Sequence, residues 1–167
     1  MAYQYFDDWE QMVAAAEAEI KVILEDYVAP VAEKILERHI ESDIYSVYTP
    51  KTNGWVTTLG VGGHRITYRR RHVLEGDITS YLTRPDTLFI TSKATASPSV
   101  VPGYSFRNRY DGSFLKLLET GHMGVWRNGF PRPAVSNTQK EIDSSNAIKS
   151  AIKRGIKGRI SNFVETI

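Results

Sequence analysis

The sequence predicts an α+β chain, and three observations carry that expectation. Residues 9 to 40 repeat apolar side chains at steps of three and four, the middle is rich in Tyr, Val and Thr, and isoleucines stand four apart near the end. The expected arrangement is a long N-terminal helix packed on a small sheet, followed by shorter C-terminal helices. With 167 residues and 41% apolar content, one domain with a real core is affordable, and a second core would be small. The chain is therefore read as a single domain, 1–167. It comprises an acidic helix over about 7–43, a β-rich and loop region over about 44–112, and a helix, a turn and C-terminal helices over about 113–167.

In the first element, Ile20, Leu24, Tyr27 or Val28, Val31, Ile35 and His39 form the stripe, and alanines at 14, 15, 16 and 18 raise helix propensity. Pro30 falls inside the run, so a kink or a break is expected there. Residues 44–67 change character, with Asn53-Gly54 as a hairpin signal and the GVGG at 60–63 read as a turn. That glycine run lacks the Gly-Lys-Ser/Thr ending of a phosphate loop. In YRRRHVLEGDITSYL, Leu74, Ile78 and Leu82 recur every four, which predicts a short amphipathic helix or a helix-like crossing with Arg69, Arg70 and Arg71 at its start. Residues 87–97 alternate and predict a strand. Residues 98–111 form a long polar and aromatic loop, expected to be mobile or ordered by a partner.

The segment from Phe114 to Pro133 organises the rest. Phe114, Leu115, Leu117 and Leu118 make a short helical run that Gly121 ends. Beyond it come Trp126 and Arg127, an Asn128-Gly129 turn signal, and Pro131-Arg132-Pro133. Two prolines fix φ on either side of Arg132 and hold it in an extended link. Trp and Arg presented rigidly suit contact with another protein. Ala134–Ile142 then begins a helix, and Asp143, Ser144 and Ser145 can cap a second. In that last helix Ile148, Ile152, Ile156 and Ile160 need burial, whereas Gly155 and Gly158 weaken it.

Residues 1–43 hold 11 of the 19 acids and 3 of the 21 bases, so a front of net charge −8 joins a remainder of +10. Such a split lets the chain pair with itself, with a copy of itself, or with nucleic acid. A nucleic-acid binder has little use for an acidic arm, whereas subunits packing head to tail around a ring use both faces. The absence of cysteine excludes a disulfide framework, a thiolate metal site and a cysteine nucleophile. No apolar run is long enough to span a bilayer, and the first ten residues carry acids where a signal peptide carries bases, so the chain is expected to stay in the cytosol.

Three chemical readings were weighed. His72, Glu75 and Asp77 have metal-ligand chemistry, but their spacing does not put all three on one helical face, so no metal and no cofactor are expected. Glu119 and His122 could serve as base and acid of a small RNase-like enzyme, with Arg127 or Arg132 on the phosphate. Together with the basic C-terminal helix, that pair makes a nucleic-acid-binding domain or RNase the alternative reading. The ordinary meaning of such a basic face is solvation, and the leading expectation is a protein without catalysis.

The order of elements resembles a family of small minor structural proteins of tailed bacteriophages, the neck or tail-completion type at the head-tail junction. The resemblance rests on the acidic alanine-rich helix, HIESDIYSVYTP, YRRRHVLEGDI, a strand, and LLETG followed by Trp and PRP before a helical tail. It covers about Ile20 to Ile156, with KTNGWVTTLGVGGHRIT between Pro50 and Tyr68 as a departure that an inserted hairpin would explain. It implies a mainly antiparallel sheet with the long helix across one face. It further implies a non-enzymatic part of the virion, assembled in the host cytoplasm as a homo-oligomeric ring, six-fold in symmetry, from copies that can stay monomeric until they meet the tail tube. The implied partners are tail tube or head connector proteins, with no membrane and no required DNA contact. Glu119, Trp126, Arg127 and Arg132, with Arg70 and Arg71 of the basic run, are the residues put forward for protein contact. Glu119, Gly121, Trp126, Arg132 and Pro133 would also form the turn into the C-terminal helices.

Overall fold

The computed structural model describes residues 8–47, 55–58, 65–68, 73–94, 114–120 and 131–159. The chain is α+β: a long N-terminal helical rod, two separate two-stranded sheets, and shorter helices to the end. Its residues gather in two compact units, Met1–Leu36 with Thr79–Thr91 and Thr138–Ile167, and Glu37–Ile78 with Ser92–Asn137.

The rod starts at Asp8, whose extended backbone and carboxylate cap α1 (Trp9–Val22) by accepting the Glu10 N–H. It runs on as a π-helical turn (Ile23–Val28), α2 (Ala29–His39) and a second π-helical turn (Ile40–Tyr45). At Pro30, where a kink or a break is expected, the helix is not broken, and the irregularity takes the form of a π-helical turn. The widened turn lies directly before Pro30, with the Ala29 N–H reaching back five residues to the Leu24 carbonyl. A proline cannot donate there and its ring crowds the carbonyl four residues back, so inserting one residue relieves both conflicts. The insertion also re-phases the buried stripe, which reads Ile23, Val28, Ala32, Ile35, Leu36, Ile40 and Ile44, with a step of five where the turn widens. Ile20, expected in the stripe, lies on α1, which buries none of its residues, and is 37% exposed.

In the first unit the rod meets β4 (Thr87–Ser92) and α6 (Asn146–Arg159). Ile23, Val28, Ala32 and Ile35 form the core with Ile148 and Ala151, and Leu88, Ile90 and Ile142 pack against them. This is the helix laid on a small sheet that the apolar stripe demands. β3 (Ile78–Arg84) and β4 pair as a hairpin across Pro85-Asp86, a connection short enough only for antiparallel strands. Leu88 and Ile90 point to the core while Tyr81 and Phe89, their ring centroids 5.3 Å apart, cover the other face. Ser80 donates to the Glu33 carboxylate on the rod at 2.6 Å.

The helix expected over 68–82 is corrected. Among the described residues of that span only α3 (Val73–Gly76) is helical, a single turn, and Ile78–Arg84 is strand. A spacing of four satisfies a strand's period of two as well as a helix's 3.6, and the β-branched and aromatic content of ITSYLTR decides for the strand.

In the second unit, β1 (Trp55–Thr58) and β2 (Arg65–Tyr68) pair antiparallel, with Trp55 opposite Tyr68 and Thr58 opposite Arg65. The strands of the inserted segment thus pair as antiparallel neighbours, while the hairpin signal at Asn53-Gly54 and residues 59–64 lie outside the described residues. α4 (Phe114–Thr120) and α5 (Ala134–Ser144) fall where the sequence places them. The Phe114 N–H donates to the Ala94 carbonyl at 2.9 Å, tying α4 to the end of β4. The strand expected over 87–97 is confirmed as far as Ser92, and the loop at 98–111 lies outside the described residues.

α6 is capped by Ser145, whose hydroxyl accepts the N–H groups of Ala147 and Ile148. Its buried face is Ile148, Ala151 and Gly155, while Ile152 and Ile156 are 37% and 44% exposed. The four-spaced isoleucines do not share burial because four residues overshoot a helical turn by about 40°, so each lies further round than the last.

Candidate functional site

Two groups of residues stand out, one in each unit. In the second unit Glu119, at the end of α4, reaches the N-terminus of α5. Its carboxylate accepts the backbone N–H of Val135 at 2.9 Å and of Ser136 at 3.1 Å, and the Ser136 hydroxyl as well. A carboxylate at this end of a helix satisfies orphan N–H donors and faces the positive end of the dipole. The Pro131-Arg132-Pro133 link is non-helical, as two flanking prolines require. The Arg132 N–H donates to the Leu118 carbonyl at 2.9 Å and its guanidinium to the Ile44 carbonyl at 3.4 Å. Glu119 and Arg132 thus both hold the turn into α5 from inside the chain.

Asp43 completes this junction. It accepts from Asn137 at 2.9 Å and Ser42 at 2.8 Å, and the His39 ring nitrogen Nδ1 lies 3.1 Å away. Partial burial pushes its carboxyl upward, but the hydrogen bonds of Asn137, Ser42 and His39 and the charge of the His39 ring outweigh burial and hold it below its ordinary value. This cluster was not foreseen, although His39 and Asp43 at i, i+4 gave a helical-pair signal. Tyr45 adds a further tie, its hydroxyl accepting the N–H of the fully buried Leu74 at 3.2 Å.

Trp126, Arg127, His122, Arg70, Arg71 and His72 lie outside the described residues, so the structure places only Glu119 and Arg132 of the contact candidates. Glu75 and Asp77 fall on α3 and just before β3, and among the described residues no three metal-ligating side chains gather.

The first unit carries the exposed surface. α1 buries none of its residues, and Trp9 is 71% exposed. An open groove of about 390 Å³ separates Ala14, Glu17 and Ala18 of α1 from Leu82, Arg84 and Pro85 of the hairpin. Part of the charge split is answered within the chain, since Arg159 of α6 lies 3.4 Å from Glu19 and 4.0 Å from Asp26. Lys149, Lys153 and Arg154 remain on exposed faces of α6. Among the described residues no helix is long and apolar enough to cross a membrane. No family model matches the chain, and no curated protein or solved structure is significantly similar to it.

Proposed function

We propose that the protein is a structural component of a phage or prophage virion at the head-tail junction, acting as a neck, tail-completion or tail-terminator part without catalysis. Its partners are further copies of itself, in a ring such as a hexamer, and the tail tube or head connector. The observation that carries this reading is α1, which has four turns and no buried side chain. Continuity with the rest of the rod holds α1 in the chain, and its exposed apolar residues, Trp9 foremost, are accounted for by a neighbour that covers them. The charge split supports the same reading, because opposite faces on adjacent copies steer closure of a ring. The RNase alternative gains nothing from Glu119, both of whose oxygens are engaged by the start of α5.

The test is deletion of the gene from the phage or prophage that encodes it, with electron microscopy of the lysate. Heads and tails found separate, and joined again when the gene is supplied in trans, are the expected result. Virions that mature normally without the protein would overturn it, as would turnover of RNA by the purified chain.

A further inference from the structure

α1 carries a stripe of Trp9, Met12, Ala16 and Ile20 at helical spacing, edged by Glu10 and Glu17 on one side and Glu19 on the other. Trp9, Met12 and Ile20 are 71%, 36% and 37% exposed. α6 carries a shorter stripe, Ile152 and Ile156, edged by the exposed Lys149 and Lys153. Both stripes keep exposed apolar surface in the same chain, so neither fully covers the other within it. Resting on the assembly reading above, we propose that α1 of one copy docks along the Ile152-Ile156 face of α6 on the next copy.

Charge selects this pairing over the other two. An α1-α1 contact would set glutamate edges against glutamate edges, and an α6-α6 contact lysines against lysines, each repulsive across a desolvating seam. The α1-α6 contact sets Glu10 and Glu17 against Lys149 and Lys153 while the apolar stripes close on each other. Since the two faces differ, the contact is head to tail: each copy gives α1 to one neighbour and α6 to the other, which generates a closed ring or an open helix of subunits. The buried side of α6, with Ile148, Ala151 and Gly155, stays on its own rod throughout.

The experiment is a charge exchange in the full-length chain, read by sedimentation velocity over a range of concentrations at low ionic strength. One variant carries Glu10→Lys with Glu17→Lys, the other Lys149→Glu with Lys153→Glu. All four positions are exposed, so circular dichroism and thermal unfolding should match wild type. Each variant alone should self-associate at least about tenfold more weakly. An equimolar mixture should regain association, because copies with lysine on both faces alternate with copies bearing glutamate on both. A wild-type chain that stays monomeric throughout overturns the proposal, as do variants that associate like wild type or a mixture that does not recover. Its failure is separable from that of the virion reading: unchanged association in a protein whose deletion still parts heads from tails refutes only this contact.

Discussion

An added Cβ on Gly155 would lie 2.7 Å from Cγ2, 3.0 Å from Cγ1 and 3.2 Å from Cβ of Ile23. No rotamer of Ile23 clears all three, since its own Cβ is among them. Gly155→Ala therefore sets two effects against each other. Relieving a helix-interior glycine is worth about 1 kcal/mol, whereas overpacking a filled core costs about 1–3 kcal/mol. The contact with the Ile23 Cβ cannot be relieved by a rotamer change, so the clash wins, and the variant should be destabilised by up to about 2 kcal/mol. Gly158 is the control: its Cβ would meet only the Tyr27 hydroxyl at 3.4 Å, ordinary contact. Gly158→Ala should stabilise by about 0.5–1 kcal/mol. Urea denaturation of the two variants showing shifts of the same sign would refute the close approach.

Glu119 should behave as a helix cap. Glu119→Ala removes the acceptor of two backbone N–H groups at the start of α5, at a cost of about 1–2 kcal/mol. Glu119→Gln keeps one good acceptor oxygen and should fall between wild type and alanine. Denaturation midpoints that leave Glu119→Ala unchanged would show that the carboxylate does not cap α5.

Asp43 predicts an acid limb in the stability profile. Its folded pKa is lowered from the ordinary value of 3.8, so the unfolded chain binds the proton more readily. The stability it contributes is fully present above about pH 4 and is lost as pH falls through the folded value. Asp43→Asn should cost about 1–2 kcal/mol near neutrality, from weakened bonds to Asn137, Ser42 and His39. The same variant should also show a shallower fall in denaturation midpoint between about pH 4 and pH 2. A profile parallel to wild type through that interval would contradict the assignment.

The long helix, β4 and the helices from Phe114 onward were legible in the sequence because each is set by local signals: alanine content, alternation, and a serine cap. What escaped was phase. A single residue inserted as a π turn before Pro30 put a step of five between the buried Ile23 and Val28, and no 3.6-residue template can represent that shift. The spacing of Leu74, Ile78 and Leu82 failed for a related reason, being common to both periods. At the junction, Glu119 and Arg132 stand out in the sequence, but their in-chain partners Ser136 and Ile44 are distant in sequence. Proline neighbours and turn signals announce a constrained arginine without saying which carbonyl it meets.

If the α1 stripe is an interface and not a part of the core, its residues should separate stability from association. Trp9 is 71% exposed, and Ile20, 37% exposed, lies on a helix that buries none of its residues, so replacing both with serine removes little packing on which the fold depends. The double variant should unfold within about 0.5 kcal/mol of wild type, the range of ordinary surface substitutions. Its self-association should nevertheless fall sharply, because a tryptophan anchor at a contact is often worth about 2 kcal/mol or more. Wild-type association should also weaken from low to high salt, since the glutamate and lysine edges are solvent-facing until they meet. Scattering mass and thermal unfolding measured on the same samples distinguish the outcomes. A fall in stability with association intact would place Trp9 and Ile20 in the core of the chain, and α1 would then be held by its own fold rather than by a neighbour.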